Sequence, residues 1–121
     1  MTRVAIAGAA GRMGQALVRC SRELEDIALA GATETPGHPA VGRDAGAIAG
    51  IEPTGVTIAD SLETALADAD VLIDFTFHEA VPGNVRAAAA LRRAVVIGTT
   101  ALSEDEAGAV NEAANKIPIV W

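Results

Sequence analysis

The residues whose types and spacing could do chemistry begin at position 8. Gly8-Ala9-Ala10-Gly11-Arg12-Met13-Gly14 has a G-x-x-G-x-x-G spacing and directly follows the apolar run Val4-Ala5-Ile6-Ala7. A glycine turn between a strand and a helix presents backbone N–H groups at the helix N-terminus, where they can bind the pyrophosphate of a dinucleotide. On that reading Gly8 permits the tight turn, Gly11 lets the amides approach the phosphates, and Gly14 allows the helix to pack closely on the sheet. Arg12 adds positive charge beside the phosphates or the adenosine. Three glycines alone describe a ligand-free turn equally well. Glu34 strengthens the dinucleotide reading. It stands 20 residues after Gly14, at the end of the second apolar run, where a carboxylate can accept hydrogen bonds from ribose hydroxyls. The bland reading of Glu34 is a solvated loop acid.

Two later segments fall in comparable positions. Asp74-Phe75-Thr76-Phe77-His78 and Gly98-Thr99-Thr100 each follow a short apolar run. They are therefore expected at the carboxyl ends of strands, the edge at which open α/β sheets bind ligands. Thr76 and the adjacent backbone could meet a cofactor's ribose and phosphates. Phe75 or Phe77 could pack on a ring or belong to the core. Gly98 would let a nicotinamide ring approach the backbone, and the hydroxyls of Thr99 and Thr100 can bond a carboxamide or a substrate carboxylate. His78, in a loop and without an identified partner, reads as solvated, with a proton-donor role as the rival reading. Cys20 is expected in the core as a small apolar residue of the first helix. His38 lies in a Gly/Pro loop, and no zinc or calcium spacing is present.

The elements that must position these residues alternate between short apolar runs and longer helical stretches. Strands are expected at Arg3–Ala7, Ile27–Thr33, Val56–Ile58, Asp70–Phe75, Ala94–Ile97 and Ile117–Trp121. The first helix spans Gly11–Glu25, with Met13, Leu17, Cys20 and Leu24 as its apolar stripe. Thr35 to Gly55, rich in Gly and Pro, reads as a long loop with one helical turn near Asp44–Ile48. Ser61 caps a further helix, with Glu63 one place short of a capping box. Another spans Glu79–Arg93, with Pro82 tolerable only in its first turn. Ser103-Glu104-Asp105-Glu106 opens the last helix with a capping box. Strands without polar alternation, separated by helices, imply a parallel sheet buried on both faces. The expected fold is a doubly wound α/β sheet of about six strands, Rossmann-like, in one domain over residues 1–121.

Composition narrows the function classes. Half of the 121 residues are apolar but only 2% are aromatic, so the core must be built from Ala, Val, Ile and Leu. There is no Tyr, which removes a phenol as a proton donor within this chain. Nine basic against sixteen acidic residues give a net charge of −7, which disfavours nucleic acid and anionic membranes as partners. No apolar run approaches the ~20 residues that span a bilayer, and a signal peptide is not expected. One cysteine cannot form an intramolecular disulfide, which fits a cytoplasmic location.

The segments Gly8-Ala9-Ala10-Gly11-Arg12-Met13-Gly14, Ile73-Asp74-Phe75-Thr76 and Val96-Ile97-Gly98-Thr99-Thr100, in this order and at these distances, resemble 4-hydroxy-tetrahydrodipicolinate reductase, also called dihydrodipicolinate reductase. The resemblance covers essentially the whole chain, as that family's N-terminal cofactor-binding part. It implies NADH- or NADPH-dependent reduction of a small cyclic dicarboxylate in diaminopimelate and lysine biosynthesis, by a cytoplasmic homotetramer. It further implies that Gly8, Gly11, Arg12 and Met13 line the cofactor phosphates and Glu34 the adenosine ribose. Phe75, Thr76, Gly98 and Thr99 would border the nicotinamide, with Thr100 also near a substrate carboxylate.

Departures from the family pattern carry expectations of their own. Thr35 stands where NADPH-preferring members often carry Arg, so NADH is favoured, with NADPH possible through Arg12. Phe77-His78 replace a commonly basic or Pro-containing segment. Ala101 replaces a usual glycine, so the backbone there is expected to differ slightly. The family's second domain brings a His-His and Lys motif and a Ser-Gly-Thr segment, which hold substrate, supply the proton and build most of the tetramer. None of these is in this chain, whose one lysine is Lys116. No catalytic residue is therefore assigned here, and the isolated chain is expected to bind cofactor with negligible turnover. The alternatives are another NAD(P)-dependent oxidoreductase or a non-catalytic nucleotide-sensing module.

Overall fold

A computed structural model describes residues 1–121. Six strands form one parallel sheet: β1 (Thr2–Ala7), β2 (Ile27–Thr33), β3 (Ile58–Ala59), β4 (Val71–Asp74), β5 (Ala94–Ile97) and β6 (Ile119–Val120). Their order is β3-β2-β1-β4-β5-β6. The chain winds outward from β1 to β3, then crosses back to lay β4 beside β1 and winds outward the other way. Such a reversal opens a crevice at the carboxyl ends of the two central strands. The doubly wound parallel fold expected from the sequence is the fold observed.

Register aligns the ends of the strands. Ala7 pairs with both Thr33 and Asp74, Asp74 pairs with Ile97, and Thr33 pairs with Ala59. The next residue on each strand is Gly8, Glu34, Asp60, Phe75 or Gly98. These five, scattered over ninety positions of sequence, therefore emerge as one row at the sheet edge.

Five helices cover the sheet: α1 (Arg12–Glu23), α2 (Ala45–Ile48), α3 (Leu62–Leu66), α4 (Val81–Ala90) and α5 (Glu104–Ala113). On one face Leu72, Val95 and Ile97 meet Leu66, Val81, Val85 and Val110. On the other Ile6, Ala32 and Ile58 meet Val18 of α1 and Ala45 of α2. No helix is long and apolar enough to cross a membrane.

Several boundaries differ from the expected ones for identifiable reasons. The third strand begins at Ile58 rather than Val56, because Thr57 is engaged in an antiparallel bridge to Asp44. A 3-10 turn (His78–Ala80) precedes α4, and Pro82 falls in the first turn of α4, the position it can occupy. That helix stops at Ala90 because Arg92 takes φ 55° and the Arg93 amide folds back onto the Ala88 carbonyl at 2.9 Å.

The first helix departs most. Gly14 and Val18 are its buried residues, whereas Met13, Cys20 and Leu24 are exposed. Cys20 is thus a surface residue, not a core one. The cause is Gly14: a Cβ there would overlap the Gly8 carbonyl oxygen, so this edge of the helix lies directly on the turn. At roughly 100° per residue, the stripe Met13-Leu17-Cys20-Leu24 sits about a quarter-turn away from the Gly14–Val18 line.

Candidate functional site

The glycine turn is built from main-chain hydrogen bonds. The amides of Gly8 and Ala9 both donate to the Thr33 carbonyl at 3.1 Å, and the Gly11 amide donates to the Gly8 carbonyl at 3.1 Å. Gly8 has φ +82°, and a Cβ on it would come within 2.6 Å of the Phe75 carbonyl oxygen. Both conditions require glycine. The Gln15 side chain donates to the Ala10 carbonyl at 2.7 Å and braces the turn from α1.

What the turn leaves open is the N-terminus of α1. Asp44, Ser61 and Ser103 cap α2, α3 and α5 with side-chain oxygens, but Gly11 offers no side chain to α1. The first amides of this helix therefore face outward without an acceptor from a cap, together with the positive end of the helix dipole.

Glu34 comes to the turn from the neighbouring strand. Its Oε2 accepts from the Ala10 amide at 2.9 Å and its Oε1 from the Thr35 amide at 3.3 Å. The acid is half-buried and fixed over the turn, not a free loop carboxylate.

On the opposite side, Asp74 ends β4 with no exposed surface. Its Oδ1 accepts from the Thr76 amide at 2.9 Å and from the Thr76 hydroxyl at 2.6 Å, and its Oδ2 accepts from Asn84 at 3.0 Å. The Thr99 hydroxyl donates to the Thr76 carbonyl at 3.0 Å, tying the loop after β5 to the loop after β4. Gly98 has a local reason to be glycine: the Phe75 phenyl ring occupies the space its Cβ would take. Ala101 has φ 62°, so an alanine here carries a conformation that glycine adopts more easily.

His78 has partners that its sequence position did not reveal. Its Nδ1 lies 2.8 and 2.9 Å from the two carboxylate oxygens of Glu106, and its Nε2 lies 3.6 Å from Glu79. Glu106 also accepts from the Ser103 amide at 2.7 Å, completing the expected capping box. The Ser103 amide, with the His78 side chain adding to it, holds the Glu106 carboxyl below its ordinary range against the opposing effect of burial.

A cleft of about 520 Å³ runs along the row of strand ends. Of the residues singled out from the sequence, Gly8, Gly11, Glu34, Phe75 and Thr76 line it. Arg12 and Met13 are exposed on the first turn of α1, outside its walls, and Thr100 is exposed on the loop after β5. Gly98 and Thr99 stand behind Phe75 and Thr76 and touch the cleft only through them. Phe77 is 77% exposed on its rim. Sequence reasoning missed Asn84 and His38 as lining residues, and gave Asp74 no role. His38 accepts from the Ala40 amide through Nδ1 at 3.0 Å. Asn84, mid-helix and far from any motif, carries no signal in a single sequence.

Sheet order, switch point and glycine turn define a Rossmann-type α/β domain, and solved structures agree. The chain superposes on a probable dehydrogenase from Thermotoga maritima with a TM-score of 0.76, at 16% identity, over 97% of this chain and 34% of that one. It superposes on the dipicolinate-bound dihydrodipicolinate reductase from Paenisporosarcina sp. TG-14 with a TM-score of 0.73, at 24% identity, over 94% of this chain and 43% of that one. The sequence model for the N-terminus of dihydrodipicolinate reductase matches residues 2–121, and the chain belongs to that family.

Among curated relatives, the 4-hydroxy-tetrahydrodipicolinate reductase of Anaeromyxobacter dehalogenans strain 2CP-1 is 51% identical over 120 residues, 99% of this chain and 44% of the relative. The protein of the same description from Alkalilimnicola ehrlichii is 48% identical over 99% of this chain and 45% of its own length. The chain thus spans less than half the length of the curated relatives it matches.

Proposed function

We propose that this chain is the cofactor-binding portion of a 4-hydroxy-tetrahydrodipicolinate reductase, and that its cleft receives NADH. One observation carries the reading: the uncapped start of α1 and the Glu34 carboxylate are joined through Ala10 into a single wall. The amides offer donors to a diphosphate, and the carboxylate offers acceptors to a ribose diol. The residues present fit such a group, since no side-chain cap occupies the first amides of α1.

In this reading Gly8 and Gly11, whose amides are spent within the turn, line the diphosphate, the open amides of the first turn of α1, Met13 among them, hold it, and Arg12 adds its guanidinium from that exposed turn. Glu34 holds the adenosine ribose. Phe75 and Thr76, backed by Gly98 and Thr99, border the nicotinamide, and Thr100 also meets a carboxylate of the substrate. When bound, the dihydronicotinamide supplies the hydride. Thr35 puts no positive charge beside Glu34, so a 2′-phosphate would meet a carboxylate without compensation, which favours NADH over NADPH.

The acceptor is a small cyclic dicarboxylate of diaminopimelate and lysine biosynthesis, in the cytoplasm. Its binding and the proton that follows the hydride belong to a further domain of the longer, homotetrameric enzyme. Without an oriented acceptor the chain alone binds and does not turn over.

Calorimetry with NADH and NADPH at moderate salt tests the reading, supported by fluorescence transfer from Trp121, the one tryptophan. Saturable heat with tighter binding of NADH is expected. A folded chain giving no heat with either would remove the cofactor assignment, and tighter NADPH binding would reverse the preference. Substrate reduction by the isolated chain near the rate of a full-length reductase would overturn the assignment of chemistry to another domain.

A further inference from the structure

Asp74 is a buried carboxylate without an ion pair at the edge of the cleft, and its neighbours explain what it does there. Burying such a group is costly unless donors satisfy it. Here the Thr76 amide and hydroxyl reach Oδ1, and Asn84 reaches Oδ2. The Thr99 hydroxyl is 3.4 Å from Oδ1 but closer, at 3.0 Å, to the Thr76 carbonyl.

The Thr76 hydroxyl has one proton and can spend it on one partner. At 2.6 Å the Asp74 carboxylate takes it, in preference to the Phe77 carbonyl at 3.3 Å. Both Asp74 oxygens already receive donors, the Thr76 amide at Oδ1 and Asn84 at Oδ2, so the carboxyl stands toward Thr76 as an acceptor. Thr76 lines the cleft, and with that proton committed its hydroxyl has only lone pairs left to offer a ligand. Asn84, 3.4 Å from the Thr76 oxygen, leaves a second lone pair free.

We infer that Asp74 is a positioning residue that fixes Thr76 as a hydrogen-bond acceptor in the cleft. The site thereby selects ligand groups that donate, the carboxamide NH2 or ribose hydroxyls of a nicotinamide riboside. This rests on the proposed dinucleotide reading and goes beyond it by giving the donor–acceptor sense of one subsite.

The test compares NADH with ADP, which lacks the nicotinamide riboside, by calorimetry on folded variants. Thr76→Val is expected to reduce the affinity advantage of NADH over ADP by about tenfold, the effect of one hydrogen bond, and Thr76→Ser to keep it. Asp74→Ala should lose the same advantage, and Asp74→Asn, which retains an oxygen for the Thr76 hydroxyl, should recover it. Asp74→Ala combined with Thr76→Val should lose no more than either alone. If Asp74→Ala fails to fold, Asp74→Asn and Thr76→Val carry the comparison. A Thr76→Val chain with an unchanged NADH-to-ADP ratio overturns the inference, as does an Asp74→Ala chain that loses both ligands equally. If the unaltered chain binds neither ligand, the dinucleotide reading itself falls, which is distinguishable from binding that simply ignores Thr76.

Discussion

The carboxylate of Glu34 and the amide of Ala10 are joined at 2.9 Å, so the acid ending β2 and the turn ending β1 form one unit. A ligand that grips the turn must meet this acid. Glu34→Ala is expected to weaken NADH binding about tenfold, consistent with losing one or two hydrogen bonds to a ribose. It should weaken NADPH less, because a repulsive charge leaves with the side chain. Parallel titrations check this, and equal losses for the two coenzymes would contradict the role given to the carboxylate.

Gly14 touches the turn so closely that any side chain must displace α1. Gly14→Ala is expected to destabilise the chain by about 1–3 kcal/mol, the usual cost of forcing extra volume into a packed contact, and to weaken NADH by shifting the helix amides. Thermal and urea unfolding measure the first effect and calorimetry the second.

Phe75 and Gly98 compete for one volume, so their substitutions should couple. Gly98→Ala alone pushes the ring out of place. In a Phe75→Ala background the same change should be nearly neutral. A double-mutant cycle on unfolding free energy should give a coupling of about 1–2 kcal/mol, and additive effects would mean that the ring moves aside freely.

Ala101 and its φ of 62° predict a gain. A left-handed residue with a Cβ costs roughly 1–2 kcal/mol, while glycine returns about 0.4–1 kcal/mol through the freer unfolded chain. Ala101→Gly should therefore stabilise by up to about 1.6 kcal/mol. The urea midpoint should rise with an unchanged slope.

Acid should unfold the chain through a small set of carboxylates. Asp44 is held below its ordinary range chiefly by the Thr54 amide, Asp70 chiefly by the Arg3 amide, and Glu106 chiefly by the Ser103 amide. In each the folded value is the lower one. The stabilisation is therefore present above the unfolded value, about 4 for such groups, and is lost as pH falls through the folded values. Stability should be flat near neutrality and decline below about pH 4. Asp44→Asn should lower the melting temperature at pH 7 and flatten the acid limb. An unchanged acid limb would show that the Asp44 hydrogen bonds do not report on folding.

Much of the fold was legible because its signals are local. Val71-Leu72-Ile73 and Val4–Ala7 lack polar alternation, which only a doubly covered strand tolerates, and Ser103 with Glu106 announces a helix start. The helix stripe misled because apolar spacing does not say which side meets the sheet. Gly14, which carries no hydropathy signal, decided that side by contact. Part of the candidate cleft was also legible, since Gly8, Glu34 and Phe75 follow strands directly and Gly11 and Thr76 stand within four residues of a strand end. His78 was not, because its partner Glu106 lies 28 residues away and already had a local role in a cap.

By itself the sequence determined the alternation of elements, the glycine turn and the acid twenty residues beyond it, since backbone sterics and hydrophobic period act over a few residues. Only the tertiary structure decided that Gly8, Glu34, Phe75 and Gly98 stand in one row, because register between strands is settled by packing across the sheet. It alone turned Asp74 inward onto Thr76 and Asn84. A buried polar group takes its meaning from donors that the chain brings together, and their distance along the sequence carries no trace of that meeting.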